Sequence, residues 1–365
     1  MRFHVVSLPH TQTDGNFPAC AYTTKVMGFC RMMMARGHEV ILYSGAKNTA
    51  PCTEHVPCIT EKQRAKGENV SGYVYSSFNN TMPHWKIFTA NAIWAMKRRV
   101  KKYDFICLIS GAQQEIAHAY GSNMAVEFGV GYAGTFSKYR VFESYAWMHT
   151  LAGAQSMNNA HGIEGWWYDA VIPGYLDPKD FPFSTKRKDS YLFVGRLDPS
   201  SRKGVEVASQ ITAALGAKLV VAGPGTPSGL VGDVEYHGIV GPKLRSKLMG
   251  EARALLAPTR YIEPFGNAVI EAMACGTPAI TTDWGAFTET VVQGVTGYRC
   301  RNLVEFCNAC NMVDTLDPVK IREHVVDNYS LDHIGQKYEA YFTRLLTLWG
   351  VGWAELGKFK WTDSK

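Results

Sequence analysis

The sequence predicts an α/β protein made of two doubly wound parallel sheets facing a central cleft, and three observations carry that prediction. Strand-like and helix-like segments alternate from Phe3 to about Asp314, the pattern of parallel sheets joined by crossover helices. The alternation is interrupted by a stretch rich in Pro, Asp and Lys over 176–190 and then starts afresh. With 365 residues the chain is long enough for two domains of ordinary size.

The first series opens with a buried strand at Phe3–Leu8, a turn-rich loop over His10–Phe17, and a helix at Ala21–Arg36 that Gly37 closes. Strands follow at Glu39–Tyr43, Phe105–Ile109 and Met124–Gly129, with a helix over Trp85–Lys102 before the second of these. Beyond the linker, strands are expected at Tyr191–Val194, Lys218–Ala222, Ala254–Pro258 and Ala279–Thr282. Helices are expected at Gly204–Leu215, Lys243–Ala252 and Asn267–Ala274, the last stopped by Gly276 and Pro278. A final helix over Ser330–Trp349 is aromatic on one side (Tyr338, Tyr341, Phe342, Trp349), a face suited to packing back on the first domain. The expected division is 1–175, completed by the C-terminal helix 331–365, and 176–330. Open parallel sheets bind ligands at the carboxyl ends of their strands, which places the site in the cleft between the two.

Composition excludes several classes. At 46% hydrophobic and 19% charged, the chain is neither disordered nor collagenous, and no apolar run reaches the length of a spanning helix. A cytoplasmic protein is expected, and its nine cysteines are expected to be reduced packing residues. The net charge of +6 favours an anionic partner without naming one.

The most informative segment runs from Tyr261 to Pro278. Glu263 falls in a loop after a strand, while Pro264, Gly266 and Asn267 open a helix whose amide end attracts anions. Glu271 lies about five residues into that helix, roughly 7 to 8 Å along its axis, a separation like that between a pyrophosphate and its ribose. One carboxylate can then hold sugar hydroxyls beside the phosphate while the other accepts hydrogen bonds from the ribose diol. Arg196, which leaves a strand through Gly195, and Lys203, at the start of the next helix, can point at the same sheet edge and offset a diphosphate. Each feature alone is equally a helix with a surface Glu, or two surface cations beside a turn.

Together, Gly195-Arg196, Lys203-Gly204, Glu263-Pro264-Phe265-Gly266 through Glu271 to Pro278, and Gly285-x3-Glu289 resemble the retaining glycosyltransferases of family 4, which have the GT-B fold. The resemblance covers about Tyr191–Arg299. It implies two Rossmann-like domains and a nucleotide-diphosphate sugar donor (UDP, GDP or ADP) held mainly by the second domain. It also implies transfer of the sugar to a hydroxyl acceptor with retained anomeric configuration. On it, Arg196 and Lys203 bind the diphosphate, Glu263 the donor sugar and Glu271 the ribose, with the backbone of Gly195, Phe265, Gly266 and Asn267 facing the donor. No metal and no other cofactor is expected, the cations and the helix dipole standing in for one.

The first domain departs from the family pattern. Its first loop has one glycine where paired glycines are usual, leaving His10, Asp14 and Gly15 as candidates for sugar or acceptor contact. Ser110-Gly111 stands where many members carry a His; His149 is the candidate replacement, with Arg140 and Glu143 lining the cleft, or else a hydrogen-bonded core histidine.

A glycan or lipid-linked saccharide is the default acceptor. A modified DNA base is the alternative, because the opening Leu8–Thr13 and Cys20–Thr23 have the look of phage-encoded glycosyltransferases. A nucleotide-sugar epimerase, a hydrolase or a non-catalytic sugar-nucleotide sensor remains open on this fold. The basic run Lys97–Lys102 suits an anionic membrane surface or a nucleic-acid backbone, or simply complements a helix dipole. Trp166-Trp167-Tyr168 is either a stacking platform or a buried interdomain cluster. Cys300, Cys307 and Cys310 lack a fourth zinc ligand, so helical packing is expected. No obligate protein partner is expected.

Overall fold

The computed structural model describes residues 1–17, 20–64, 68–70, 73–121, 123–156, 165–197 and 202–351. Asp198, which follows the Gly195-Arg196 motif, and the side chain of Trp349 lie outside the described residues, as does 352–365 of the C-terminal segment.

The first domain runs β1 (Arg2–Val6), α1 (Ala21–Ala35), β2 (Glu39–Gly45), β3 (Glu54–Ile59), a hairpin of β4 (Glu68–Val70) and β5 (Tyr73–Tyr75), and α2 (Pro83–Met96). It continues with β6 (Phe105–Leu108), α3 (Gln114–Ala119), β7 (Met124–Val130), β8 (Tyr139–Phe142), α4 (Tyr145–Gln155) and β9 (Ala170–Val171). The second domain runs β10 (Ser190–Val194), α5 (Val205–Ala214), β11 (Lys218–Ala222), β12 (Asp233–Tyr236), α6 (Pro242–Glu251), β13 (Leu255–Ala257) and α7 (Asn267–Ala274). It ends with β14 (Ala279–Thr282), α8 (Phe287–Thr290), β15 (Gly297–Cys300), α9 (Leu303–Met312) and α10 (Pro318–Tyr329), before α11 (Leu331–Val351) returns to the first domain.

Both sheets are wholly parallel, in the orders β3-β2-β1-β6-β7-β8-β9 and β12-β11-β10-β13-β14-β15. Each reverses direction beside its first strand, and the crevice that a doubly wound sheet opens for ligands forms at that reversal. The central strands read as unbroken apolar runs because helices cover both faces. Thus Phe3 and Val5 of β1 face α1 and α11, and Val6, with Ile41 and Ile106, faces α2. α11 contributes Ile334, Tyr338, Tyr341, Phe342 and Leu345 to the first core, so the aromatic face read in the sequence packs where expected.

The chain crosses between domains twice, and the crossings are bonded to each other: Leu176 N–H donates to the Tyr329 carbonyl and Leu331 N–H to that of Leu176, both at 3.1 Å. From there, 177–189 lies along the second domain, with Ser184 N–H on the Cys275 carbonyl and Lys188 N–H on that of Glu251.

Several local expectations change. The helix expected to reach Lys102 ends at Met96, because Arg99 turns away to pair with Glu54 at 2.7 Å. Arg98 stacks over Trp94 and Lys102 over Tyr103, so three cations of the basic run already have neighbours. Trp166 and Trp167 are exposed rather than buried between domains. Cys300, Cys307 and Cys310 pack in the second core, the nine cysteines are free, and among the described residues no group of three or more metal-ligating side chains is assembled. Among those residues, no helix is long and apolar enough to cross a membrane.

Candidate active site between the two sheets

A cavity of about 980 Å³ opens between the carboxyl ends of the two sheets. Its second-domain wall begins where β10 ends in Gly195 and the exposed Arg196. Gly204, at φ +77°, then lets the next turn close on β13, since a Cβ there would lie 2.0 Å from the Pro258 carbonyl oxygen. That close approach sets Lys203 against Glu263, Nζ to Oε2 at 2.8 Å, with the Tyr261 hydroxyl bonded to both.

Gly266 starts α7 at φ +89°, and a side chain there would press on Phe287, whose Cε1 lies 2.6 Å from the Cβ position. Gly266 offers no side chain to cap this helix, which leaves the amides of Asn267 and Ala268 for a ligand in the cleft, where both residues line the cavity. One turn further, Glu271 accepts a 2.7 Å hydrogen bond from Nε of Arg245 on α6. Among the described lining residues of this wall, Arg196, Lys203 and Arg245 therefore face two carboxylates, and the amide end of α7 adds positive potential between them. An anion with hydroxyl groups on either side suits that pattern.

The opposite wall carries His10, Cys20, Ala21, Tyr22, Thr24 and the segment Tyr75–Phe78. His10 is buried, its Nε2 lies 3.1 Å from Cys20 Sγ, and its Nδ1 is buried with no partner among the described residues. Burial, helped by Arg64 and His84, lowers its pKa to about 4, so it is neutral at pH 7. An unfolded chain protonates this imidazole near 6.5, and the folded one near 4. Stability from His10 is thus intact above pH 6.5 and lost as pH falls through that window, by up to about 1.4 kcal/mol per pH unit. His10→Asn, compared with the wild-type protein by chemical denaturation at pH 7 and pH 4.5, should show a shallower loss on acidification. An identical loss in both proteins contradicts this assignment.

Gly195, Arg196, Lys203, Glu263, Gly266, Asn267, Glu271 and His10 thus meet in one cavity. Other sequence candidates do not line it. The ring of Phe265 is 2% exposed and packs beside Tyr329 in the second core. His149 is neither in the cleft nor in the core, but on the exposed side of α4, its ring 6.0 Å from that of Tyr145. Arg140 is held by Asp169 in a two-pronged ion pair at 2.8 and 2.7 Å, tying β8 to the segment before β9. Glu143 is buried against Lys25 at 2.7 Å, and burial raises its carboxyl pKa despite that cation. Asp14 accepts from the Asn16 amide within its own turn, and Gly15 lies beside it at the surface. Ser110 takes φ +83° at the end of β6, a left-handed strain at the reversal of the first sheet, without lining the cavity.

Sequence reasoning missed Arg245, and it gave no role to Glu289, which it had quoted in a motif. The Glu289 carboxylate accepts from the amides of Tyr145 and Ala146 at 3.0 and 2.8 Å, capping α4 across the domain boundary. Beside it, Ser144 Oγ donates to the Pro264 carbonyl at 2.7 Å.

Residues 188–314 match the family model described as Glycosyl transferases group 1. Glycogen synthase of Mycobacterium tuberculosis is 33% identical over 149 residues, covering 36% of this chain and 35% of that protein. D-inositol 3-phosphate glycosyltransferase of Mycolicibacterium smegmatis is 29% identical over 185 residues, 46% of this chain and 41% of that one. The matched segment therefore spans less than half the length of these curated relatives. Among solved structures, AviGT4, a glycosyltransferase involved in avilamycin A biosynthesis, superposes with TM-score 0.66 at 17% identity, over 95% of this chain and 98% of that one. Anabaena HepE in complex with UDP and glucose superposes with TM-score 0.62 at 13% identity, over 94% and 100%. The two facing Rossmann-like domains are thus a GT-B fold, and the match to the glycosyl transferases group 1 model lies in the second of them.

Proposed function

We propose that the protein transfers a sugar from a nucleoside diphosphate sugar, held by the second domain, to a hydroxyl of an acceptor held by the first, with retained anomeric configuration. The observation that carries this reading is the uncapped amide end of α7, set between Glu263 and Glu271 and flanked by Arg196, Lys203 and Arg245. The diphosphate sits on the amides and cations, Glu271 takes the ribose diol and Glu263 the sugar hydroxyls. As the bond from the anomeric carbon to the phosphate oxygen breaks, the acceptor oxygen bonds to the same face and its proton passes to the departing phosphate. The protein's part is position and charge. Three cations and a helix end supply the positive potential, so the reading includes transfer without a divalent metal, and EDTA should leave the rate unchanged.

UDP is the first nucleotide to test, since HepE is a structural neighbour solved with it. A thermal-shift panel of UDP, GDP, ADP and their sugars should raise the midpoint for one base, because a ligand of the native state stabilises in proportion to its saturation. Glu271→Ala should then weaken that nucleotide about tenfold, the worth of roughly two hydrogen bonds to a ribose diol. A panel in which no nucleotide moves the midpoint overturns the assignment.

A further inference from the structure

The two walls of the cleft differ in kind. The second-domain wall bears all of the cavity's described Arg, Lys and Glu residues, whereas the described residues of the first-domain wall are aromatic, aliphatic or neutral and polar. Phe78 is 47% exposed although it is a large hydrophobic residue. Its ring lies stacked with Tyr22, centroids 5.6 Å apart at 24°, and is braced edge-on by His10 and Trp85, each at 5.1 Å. Arg64 is buried and bonded to Glu61 and to the His10 carbonyl, and the other nearby cation, Lys25, lies 5.9 Å from the Tyr22 centroid, yet it is buried and bonded to Glu143 and to the Gly129 carbonyl. Its charge is neutralised beneath the wall.

Resting on the transferase reading above, we propose that this wall is an acceptor subsite for an uncharged ring, which lays a flat apolar face on Phe78 and Tyr22. Aromatic faces reward a flat apolar partner and do nothing for a phosphate. A phosphorylated acceptor group would meet no cation among the described lining residues of this wall and would be repelled by the donor's own diphosphate. His10, which braces Phe78, is neutral at pH 7 and adds no charge to the wall. The ring is either an unsaturated one or the C–H face of a pyranose.

Nucleotide binding is titrated first and by itself; failure there refutes the donor reading and leaves the ring arms to be run on the unloaded protein. On the protein saturated with its nucleoside diphosphate, calorimetry then compares 4-nitrophenyl glucoside, methyl glucoside and 4-nitrophenyl phosphate. The nitrophenyl glucoside should bind at least about fivefold more tightly than the phosphate, and Phe78→Leu should weaken it about five- to tenfold, as stacking on an aromatic side chain implies. Phe78→Tyr should restore it, and nucleotide affinity should be unchanged in both variants. Methyl glucoside binding as tightly, with the same loss in Phe78→Leu, supports the subsite and identifies its ring as the pyranose. Tightest binding by the phosphate, an unchanged Phe78→Leu, or no binding of either neutral ring overturns the proposal.

Discussion

Glu263→Gln should lower the rate of sugar transfer by roughly 10²- to 10³-fold, the usual effect of removing one preorganised electrostatic group from an active site. Nucleotide affinity should hold or rise. The carboxylate is nearly buried and is the counter-charge of Lys203, at 2.8 Å. The neutral amide keeps the shape but releases the ammonium, which is then free to follow the diphosphate. Transfer kinetics and a nucleotide titration on the same variant separate the two effects. A parallel fall of both would make Glu263 a prop for the loop rather than a contact of the sugar.

The second large effect is expected at Gly266. Valine there must adopt φ +89° and place its Cβ 2.6 Å from the Phe287 ring. Left-handed strain costs about 1–2 kcal/mol and overpacking about 1–3 kcal/mol, so roughly 3 kcal/mol of second-domain stability should be lost. The melting midpoint should fall by roughly 6 to 12 °C for a domain of this size. Relief of the clash swings the first amides of α7 out of the cleft, and the nucleotide should no longer raise the midpoint. Calorimetry with and without nucleotide measures both. A variant that melts like the wild-type protein and still responds to nucleotide would show that this turn positions nothing.

The bounds of α7 and β14 were legible to the residue, because Gly266 on one side and Gly276-Thr277-Pro278 on the other are punctuation that no helix can run through. Lys97–Lys102 misled for the opposite reason. Lys and Arg are good helix formers, and nothing local announces that Arg99 will leave to meet Glu54, 45 positions earlier. β12 and β15 were not read as strands, being four residues each at the edges of their sheet and only partly buried.

Within the site, the residues carried by local motifs converge, and those that depend on a distant partner do not show in the sequence. Arg245 and Glu271 stand 26 positions apart on different helices, and only the packing of α6 on α7 joins them. Arg140 and Glu143, expected to line the cleft beside His149, are instead engaged by Asp169 and Lys25. His149 has no such partner. Its place on the outer face of α4 follows from Ser144 and Glu289 fixing the helix start, and Glu289 belongs to the other domain.

The paired crossings at Leu176 and Leu331 leave these two bodies little freedom to slide or twist independently, since two strands bonded side by side act as a single pivot pin. Opening is then a swing about that pin, and the contacts farthest from it should separate most. The carboxylate of Glu289 on the first amides of α4, reinforced by Ser144 on Pro264, braces the two bodies close to that pin, where the Tyr329 hydroxyl donates to the Glu289 carbonyl. Weakening that brace by Glu289→Gln should let the start of α4 loosen, read as faster amide hydrogen exchange at Tyr145 and Ala146, without touching any group that meets the sugar.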